Sequence, residues 1–310
     1  MSIDFEIPAE AKAIREKVRQ WVHDECIPAE KELDTKPLAE VLGPLRAKAS
    51  ARGLWCPWVP KEYGGMGLGP LANALVQMEL GESMLGALSM NTQGPDDASM
   101  MTILAHGTEY QKEKFLKPLL NGDKRICFSM TEKAAGADAT GMQTSAVKDG
   151  NENYILNGEK WFSSSASVAD MALVVARTDP NAPRHKQHST FIVELPNPGY
   201  RIKRNVANMA IEGPHADVIH GGHSEIEIKD LKVPADICLA AKATDSTWAS
   251  TASPMAACAT ACTTLRKRSG RSTWQPRTSP SARPSANCSP TVRPCSSCSR
   301  TARANSISAG

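Results

Sequence analysis

The residues with the greatest chemical capacity lie together between Ile126 and Ser165, in the stretch ICFSMTEKAAGADATGMQTSAVKDGNENYILNGEKWFSSS. Ser129 and Thr131 carry hydroxyls that can donate or accept a hydrogen bond. The small-residue turn Ala134-Ala135-Gly136-Ala137-Asp138 leaves backbone N–H groups open, with no bulky side chain to keep a flat or anionic ligand away. Further along, the aromatic pair Trp161-Phe162 is followed at once by the hydroxyls of Ser163, Ser164 and Ser165. Two hairpin signals position these groups. Lys148-Asp149-Gly150-Asn151 separates one strand-like run from Tyr154-Ile155-Leu156. Asn157-Gly158 predicts a second turn into Lys160-Trp161-Phe162, because Asn-Gly tolerates the positive φ of a type I′ turn. A sheet edge built this way suits a planar ligand. The plain alternative is a pair of surface hairpins that bind nothing.

Met130-Thr131-Glu132-Lys133-Ala134-Ala135-Gly136-Ala137-Asp138 resembles the flavin signature of acyl-CoA dehydrogenases, T-E-x-x-A-G-S-D. Asn157-Gly158-x-Lys160-x-Phe162-x-Ser164 is similar to that family's second flavin segment, N-G-x-K-x-W-I-T, and the two occur in the family's order and spacing. The resemblance implies FAD as cofactor, contacted by Phe128, Met130, Thr131, Ala137, Phe162, Ser163 and Ser164, with Ala137 also facing the acyl-CoA. It implies α,β-dehydrogenation of an acyl-CoA in fatty acid metabolism, with electron-transfer flavoprotein as the electron acceptor and a homo-oligomeric assembly. Two departures bear on this. Ala137 stands where the family has Ser and lacks its hydroxyl. Phe162 replaces a Trp, which keeps the aromatic face and removes the indole donor. An acyl-CoA oxidase is a same-fold alternative, distinguished by whether oxygen reoxidises the flavin. A non-catalytic flavin- or acyl-CoA-binding remnant is a second.

The surrounding chain reads as α+β: an all-α domain over residues 1–123, a β-sheet or barrel domain over 124–239 and a disordered basic tail over 240–310. Ile14, Val18, Trp21, Val22 and Cys26 recur at helical spacing, and Pro28 is expected to end that helix. Further helices are expected over Leu38–Gly53, Leu71–Met84 and Ala98–His106. The capping-box spacing Thr108-x-x-Gln111 should start a last one ending near Leu120. The Gly-rich run Trp58–Leu68 has no preceding strand and no following Gly-Lys-Ser/Thr, so a phosphate loop is not expected. It resembles instead the loop joining helices in the dehydrogenases' N-terminal domain. Strands are expected over Met171–Arg177, Thr190–Glu194, Ile202–Val206 and Ser224–Ile228.

His215, His220 and His223 raise the question of a metal, but no third clustered ligand accompanies His220-Gly221-Gly222-His223, and none is expected. This segment, followed by Val233-Pro234-Ala235, is similar to the branch of the family acting on long-chain or branched and hydroxylated acyl-CoAs. Without a basic-then-apolar leader or an apolar run of about 20 residues, no membrane span is expected and the cytoplasm is the expected compartment.

Charge divides the chain. Residues 240–310 hold ten Lys and Arg against one acid, Asp245, whereas residues 1–239 carry a net charge of −6. The tail is rich in Ala, Ser, Thr, Pro, Arg and Cys. Its Cys pairs are irregular for zinc and only Trp248 and Trp274 could stack on bases, so neither metal nor nucleic acid is expected. Translation out of frame explains it better. Lys242–Ser250, encoded AAG GCG ACG GAT TCT ACC TGG GCC AGC and read from the third base, becomes Gly-Asp-Gly-Phe-Tyr-Leu-Gly-Gln, similar to the opening of the family's next helix. The resemblance places the proton-abstracting carboxylate in that C-terminal bundle, and Glu is absent after residue 239. Glu132 and Glu159 belong to the motifs and are not assigned as the base.

Overall fold

The computed structural model describes residues 6–150, 152–207 and 221–239. Helices come first: α1 (Ala9–Trp21), α2 (Ile27–Glu30), α3 (Leu38–Ala51), α4 (Pro70–Leu80), α5 (Gly86–Ser89), α6 (Asp96–His106), α7 (Glu109–Gln111) and α8 (Lys117–Asn121). Strands follow: β1 (Ile126–Ser129), β2 (Ser145–Asp149), β3 (Asn153–Ser164), β4 (Met171–Arg177), β5 (His188–Glu194), β6 (Tyr200–Asn205), β7 (His223–Pro234) and β8 (Cys238–Leu239).

The apolar stripe of α1 buries Val18 and Trp21 into a helical core with Leu42, Leu45, Val76 and Leu80. Pro28 does not end the helical path. A π-helical turn over Val22–Cys26 leads into α2, where Pro28 occupies the first turn and its missing N–H breaks no ladder. The capping box forms: the Thr108 hydroxyl accepts from Gln111 N at 3.2 Å and Gln111 Oε1 accepts from Thr108 N at 3.0 Å. In the Gly-rich run, Gly65 N donates to Pro60 O, Met66 N to Cys56 O and Gly67 N to Val59 O. These donors are spent within the loop, which leaves it no phosphate cradle.

The sheet order is β6-β7-β3-β1-β4-β5-β8, and β2 pairs with both β3 and β4. The slot between β3 and β4 is therefore shared. β1 fills one end (Phe128 opposite Ser164, Ser129 opposite Val174), and β2 fills the other (Ser145 opposite Asn157 and Arg177). Residues 130–144 leave the sheet between those two ends. The β2–β3 hairpin turns as expected, with Gly150 at φ +70°. Asn157-Gly158, in contrast, is no turn. It lies inside the 12-residue β3 at a register shift, where a Cβ on Gly158 (φ +154°) would sit 2.5 Å from Thr144 Oγ1. Strand β7 runs on to Pro234, past the end the alternation indicates, with Asp230 at φ +48° and its N–H donating to Asn157 Oδ1 at 2.8 Å.

Helices and sheet share a core: Met100, Ile103, Phe115 and Leu119 pack with Ile126, Leu173, Ile192 and Ile237. Buried polar groups add direction to that joint. Asp96 Oδ1 accepts from Ile126 N at 2.7 Å and its Oδ2 from Arg125 Nε at 3.2 Å. Gln111 Nε2 donates to Asp236 O and Cys238 O at 2.6 and 3.1 Å. Each is a bond between groups far apart in sequence, so it orients the first strand and the last against the helices.

Candidate functional site

The loop leaving β1 and the end of β3 are clamped by one buried ion pair. Lys160 Nζ lies 2.8 Å from Glu132 Oε1 and also donates to Met130 O at 2.9 Å. Glu132 accepts further from Gln143 N at 2.6 Å and Thr144 N at 3.0 Å. Burial alone would raise the Glu132 carboxyl, but the Lys160 ammonium and the Gln143 N–H outweigh it and hold it below the usual carboxylate range. Such a pair keeps its shape only when every lone pair and proton has a partner, and here the carboxylate takes three donors. Glu132 thus fixes the loop and is not free to act as a base.

Beyond Lys160 the strand bulges. Phe162 adopts φ +55°, and the register against β7 shifts between Lys160 and Ser163. In a regular strand Trp161 and Phe162 would face opposite sides. The bulge instead brings their rings into edge-to-face contact at 5.5 Å and leaves Phe162 44% exposed. Ser163 turns inward: its hydroxyl bonds Ser129 Oγ at 2.9 Å, and Ser129 Oγ bonds Tyr200 Oη at 2.7 Å. Of the expected contact residues, Ser163 therefore offers its backbone rather than its hydroxyl. Ser164 lies alongside β1 opposite Phe128, with its Oγ 2.7 Å from His223 Nδ1. Thr131 O accepts from Trp161 N at 2.7 Å, which fastens the first motif to the second. Among the described residues, neither the Thr131 hydroxyl nor its N–H has a partner.

Phe128, Met130, Thr131, Phe162 and Ser164 are thereby gathered where β1 ends beside β3. Phe128 and Met130 also pack on the small cluster Ala135, Met142 and Val175 beneath the loop. Ala137 is set apart on the exposed turn. On the outer side, Lys133 Nζ lies 4.8 Å and the Arg204 guanidinium 5.3 Å from the Trp161 ring centroid. Glu225 joins both cations at 2.7 and 2.8 Å, and the Lys133 hydrogen bond leads the interactions that pull its carboxyl down to about 2. A groove of about 300 Å³ beside the loop is lined by Ala134, Thr144, Gly158, Glu159 and Lys203, and none of the gathered five residues lines it. The gathered residues form an open ledge instead.

Sequence reasoning did not find the hydroxyl chain through Tyr200, nor the Ser164–His223 contact. The His-Gly-Gly-His segment carried the signal for the second. Its His220, with His215, lies outside the described residues, as does the tail from residue 240. Among the described residues no group of three or more His, Cys, Asp and Glu could hold a metal.

Comparison with known proteins bears on this arrangement. The acyl-CoA dehydrogenase N-terminal domain model matches residues 8–123, and the acyl-CoA dehydrogenase middle domain model matches residues 127–222. The chain belongs to the acyl-CoA dehydrogenase family. Chicken (Gallus gallus) acyl-CoA dehydrogenase family member 11 is 37% identical over 235 residues, covering 70% of this chain and 29% of that protein. Acyl-CoA dehydrogenase FadE29 of Mycobacterium tuberculosis is 41% identical over 143 residues, 46% of this chain and 35% of that one. Among solved structures, butyryl-CoA dehydrogenase from Megasphaera elsdenii superposes with a TM-score of 0.66 at 27% identity, covering 85% of this chain and 67% of that chain. The chain thus matches less than a third of the length of the chicken relative. No described helix is long and apolar enough to cross a membrane.

Proposed function

We propose that the ledge holds the ring of FAD, and that the chain is the helical domain (1–123) and middle domain (124–239) of an acyl-CoA α,β-dehydrogenase. The observation that carries this is the combination at Thr131 and Phe162. A hydroxyl and an N–H without partners among the described residues stand beside an aromatic ring that a bulge turns outward. Half-exposed polar groups of this kind are available to bond a ligand, and an aromatic face suits a flat heterocycle. The residues present fit the group. Thr131 and Ser164 would hydrogen-bond the ring edge, Phe162 would cover one face, and Phe128 and Met130 would bound the other side. Ala137 would border the acyl-CoA without the hydroxyl that the family has there. FAD, when bound, would supply the hydride acceptor.

The reaction also needs a base at the substrate α-carbon. Among the carboxylates beside the ledge, Glu132 is locked to Lys160 and Glu225 to Lys133 and Arg204. Residues 240–310 contain the single acid Asp245. We therefore propose that the chain as written can bind the cofactor and does not turn over. With the frame corrected, its physiological acceptor would be an electron-transfer flavoprotein, and its compartment the cytoplasm, in keeping with the four buried free thiols among the described residues. The experiment is anaerobic titration of the FAD-loaded chain with a panel of acyl-CoAs. No flavin bleaching is expected from this chain. Bleaching is expected once codons after about 239 are read in the alternative frame. Bleaching by the chain as written would overturn the account of the base. Reoxidation of the corrected form by oxygen as fast as by electron-transfer flavoprotein would favour the oxidase reading.

A further inference from the structure

Phe162 offers the ledge its aromatic face, yet its ring is 44% exposed on a left-handed backbone (φ +55°) that a bulky residue seldom adopts. An exposed ring with nothing beside it rotates among its χ1 wells, and a ligand that stacks on it must first halt that motion. Two rings stand edge-on to Phe162: His223 with centroids 6.2 Å apart, and Trp161 at 5.5 Å.

Trp161 occupies an unassigned place in the second motif, Asn157-Gly158-x-Lys160-x-Phe162, and it is nonetheless held from several segments. Its N–H donates to Thr131 O at 2.7 Å, which ties its backbone to the first motif. Lys133, two residues further along that motif, places its ammonium over the indole ring at 4.8 Å from the centroid. The Arg204 guanidinium of β6 lies over the same ring at 5.3 Å. Buried Glu225 of β7 takes Lys133 on Oε1 at 2.7 Å and Arg204 on Oε2 at 2.8 Å. Without that carboxylate, two cations over one ring would repel each other. The loop after β1 and the strands β6 and β7 thus converge on one side chain of β3, the neighbour of the ring that faces outward.

We propose that Trp161 is a positioning residue for Phe162. Held by Lys133 and Arg204, the indole presets the exposed phenyl ring in the pose that covers the ligand, so that binding loses little side-chain freedom. This rests on the flavin reading of the ledge and adds to it the group that aims its aromatic face.

The test uses the full 310-residue chain and FAD itself. FAD affinity is measured by fluorescence titration for wild type, Trp161→Leu, Trp161→Phe, Phe162→Leu, the Trp161→Leu/Phe162→Leu double variant and Thr131→Val. Trp161→Leu should weaken binding roughly two- to tenfold, the size of ordering one side chain. Trp161→Phe keeps a ring beside Phe162 and should stay within about twofold of the wild type. The double variant should be no weaker than Phe162→Leu, because Trp161 acts only through that ring. In the ligand-free chain, NMR of ring-labelled phenylalanine should show the Phe162 signal displaced by the indole ring current. Trp161→Leu should return that signal toward the value of free phenylalanine. Lys133→Met should weaken FAD binding roughly two- to fivefold and Lys133→Arg should restore it, which keeps the test sound if Trp161→Leu folds poorly. Losses that multiply in the double variant overturn the proposal, as does a Phe162 signal that Trp161→Leu leaves in place. Weakened binding in Phe162→Leu and Thr131→Val with an unchanged Trp161→Leu sinks the role of Trp161 alone. Failure of the wild type to take FAD, or unchanged affinity in both Phe162→Leu and Thr131→Val, sinks the flavin reading and the positioning role with it.

Discussion

The helical and sheet regions differ in how completely they pair their buried polar groups. Among the described residues, the buried side-chain atoms without a partner fall between Trp58 and His106: Trp58 Nε1, both amide atoms of Asn73, Gln93 Oε1, Asp97 Oδ2, Ser99 Oγ and His106 Nε2. Across the strands, Glu132, Lys160, Ser129, Ser163 and Ser224 are as deeply buried, and each is bonded. A satisfied network in a low-dielectric interior fixes one geometry, whereas an unpaired group only costs stability. The sheet region spends its polar groups on holding a bulged strand and a loop in register with each other. The helical region bonds part of its buried polar set, Glu79, Asp96 and Gln111 among them, and leaves another part without a partner among the described residues.

That contrast can be broken most forcefully at Lys160. Lys160→Met leaves Glu132 buried without its counter-ion and should cost roughly 3–5 kcal/mol in urea unfolding. Adding Glu132→Gln should recover part of the loss. A cost below about 1 kcal/mol would mean that the pair does not fix the loop.

In the helical region the sign should reverse. Burial, with Asp96 nearby as a lesser influence, raises the Asp97 carboxyl from its ordinary 3.8 to about 7. The folded state therefore holds this proton more tightly than the unfolded chain does. The resulting penalty is absent below about pH 4, grows as pH rises from there to 7 and is complete above it. Asp97→Asn keeps the acceptor for Ala98 N and should stabilise the chain by about 2–4 kcal/mol at pH 8 and by almost nothing near pH 3.5. Thermal unfolding of both forms across that range checks it, and a pH-independent difference would contradict it.

A smaller effect separates redundant from non-redundant pairing. Glu79 is buried against two arginines, Arg15 at 2.7 Å and Arg19 at 3.1 Å. Arg15→Ala should cost about 1–2 kcal/mol, less than Lys160→Met, because Arg19 still compensates the carboxylate. Equal costs for the two variants in the same denaturation assay would remove the distinction.

How much of this was legible in the sequence follows the range of the interactions. The stripe of Val18 and Trp21, the Thr108–Gln111 capping box and the Gly150 hairpin depend on residues a few positions apart, and they read correctly. Asn157-Gly158 misled because the glycine is demanded by Thr144, just before the neighbouring strand β2, and not by a local turn. Pro28 misled because the preceding π-helical turn absorbs it. At the ledge, the two motifs named Thr131, Phe162 and Ser164. They could not show that the bulge after Lys160 turns Ser163 inward to Ser129, nor that His223, about sixty residues on, meets Ser164. Residue spacing reveals which groups exist, whereas a bulge decides which way they face.

The smallest change gives the most direct test of the central claim, that this ledge is where FAD sits. Thr131→Val removes one hydroxyl at nearly constant volume, so folding should be unaffected. FAD titrated into the full chain, followed by flavin fluorescence and visible absorbance, should bind the wild type and bind the variant less tightly by about 0.5–1.5 kcal/mol, with a shifted flavin spectrum. Equal affinity and an identical spectrum in the two chains would contradict the site.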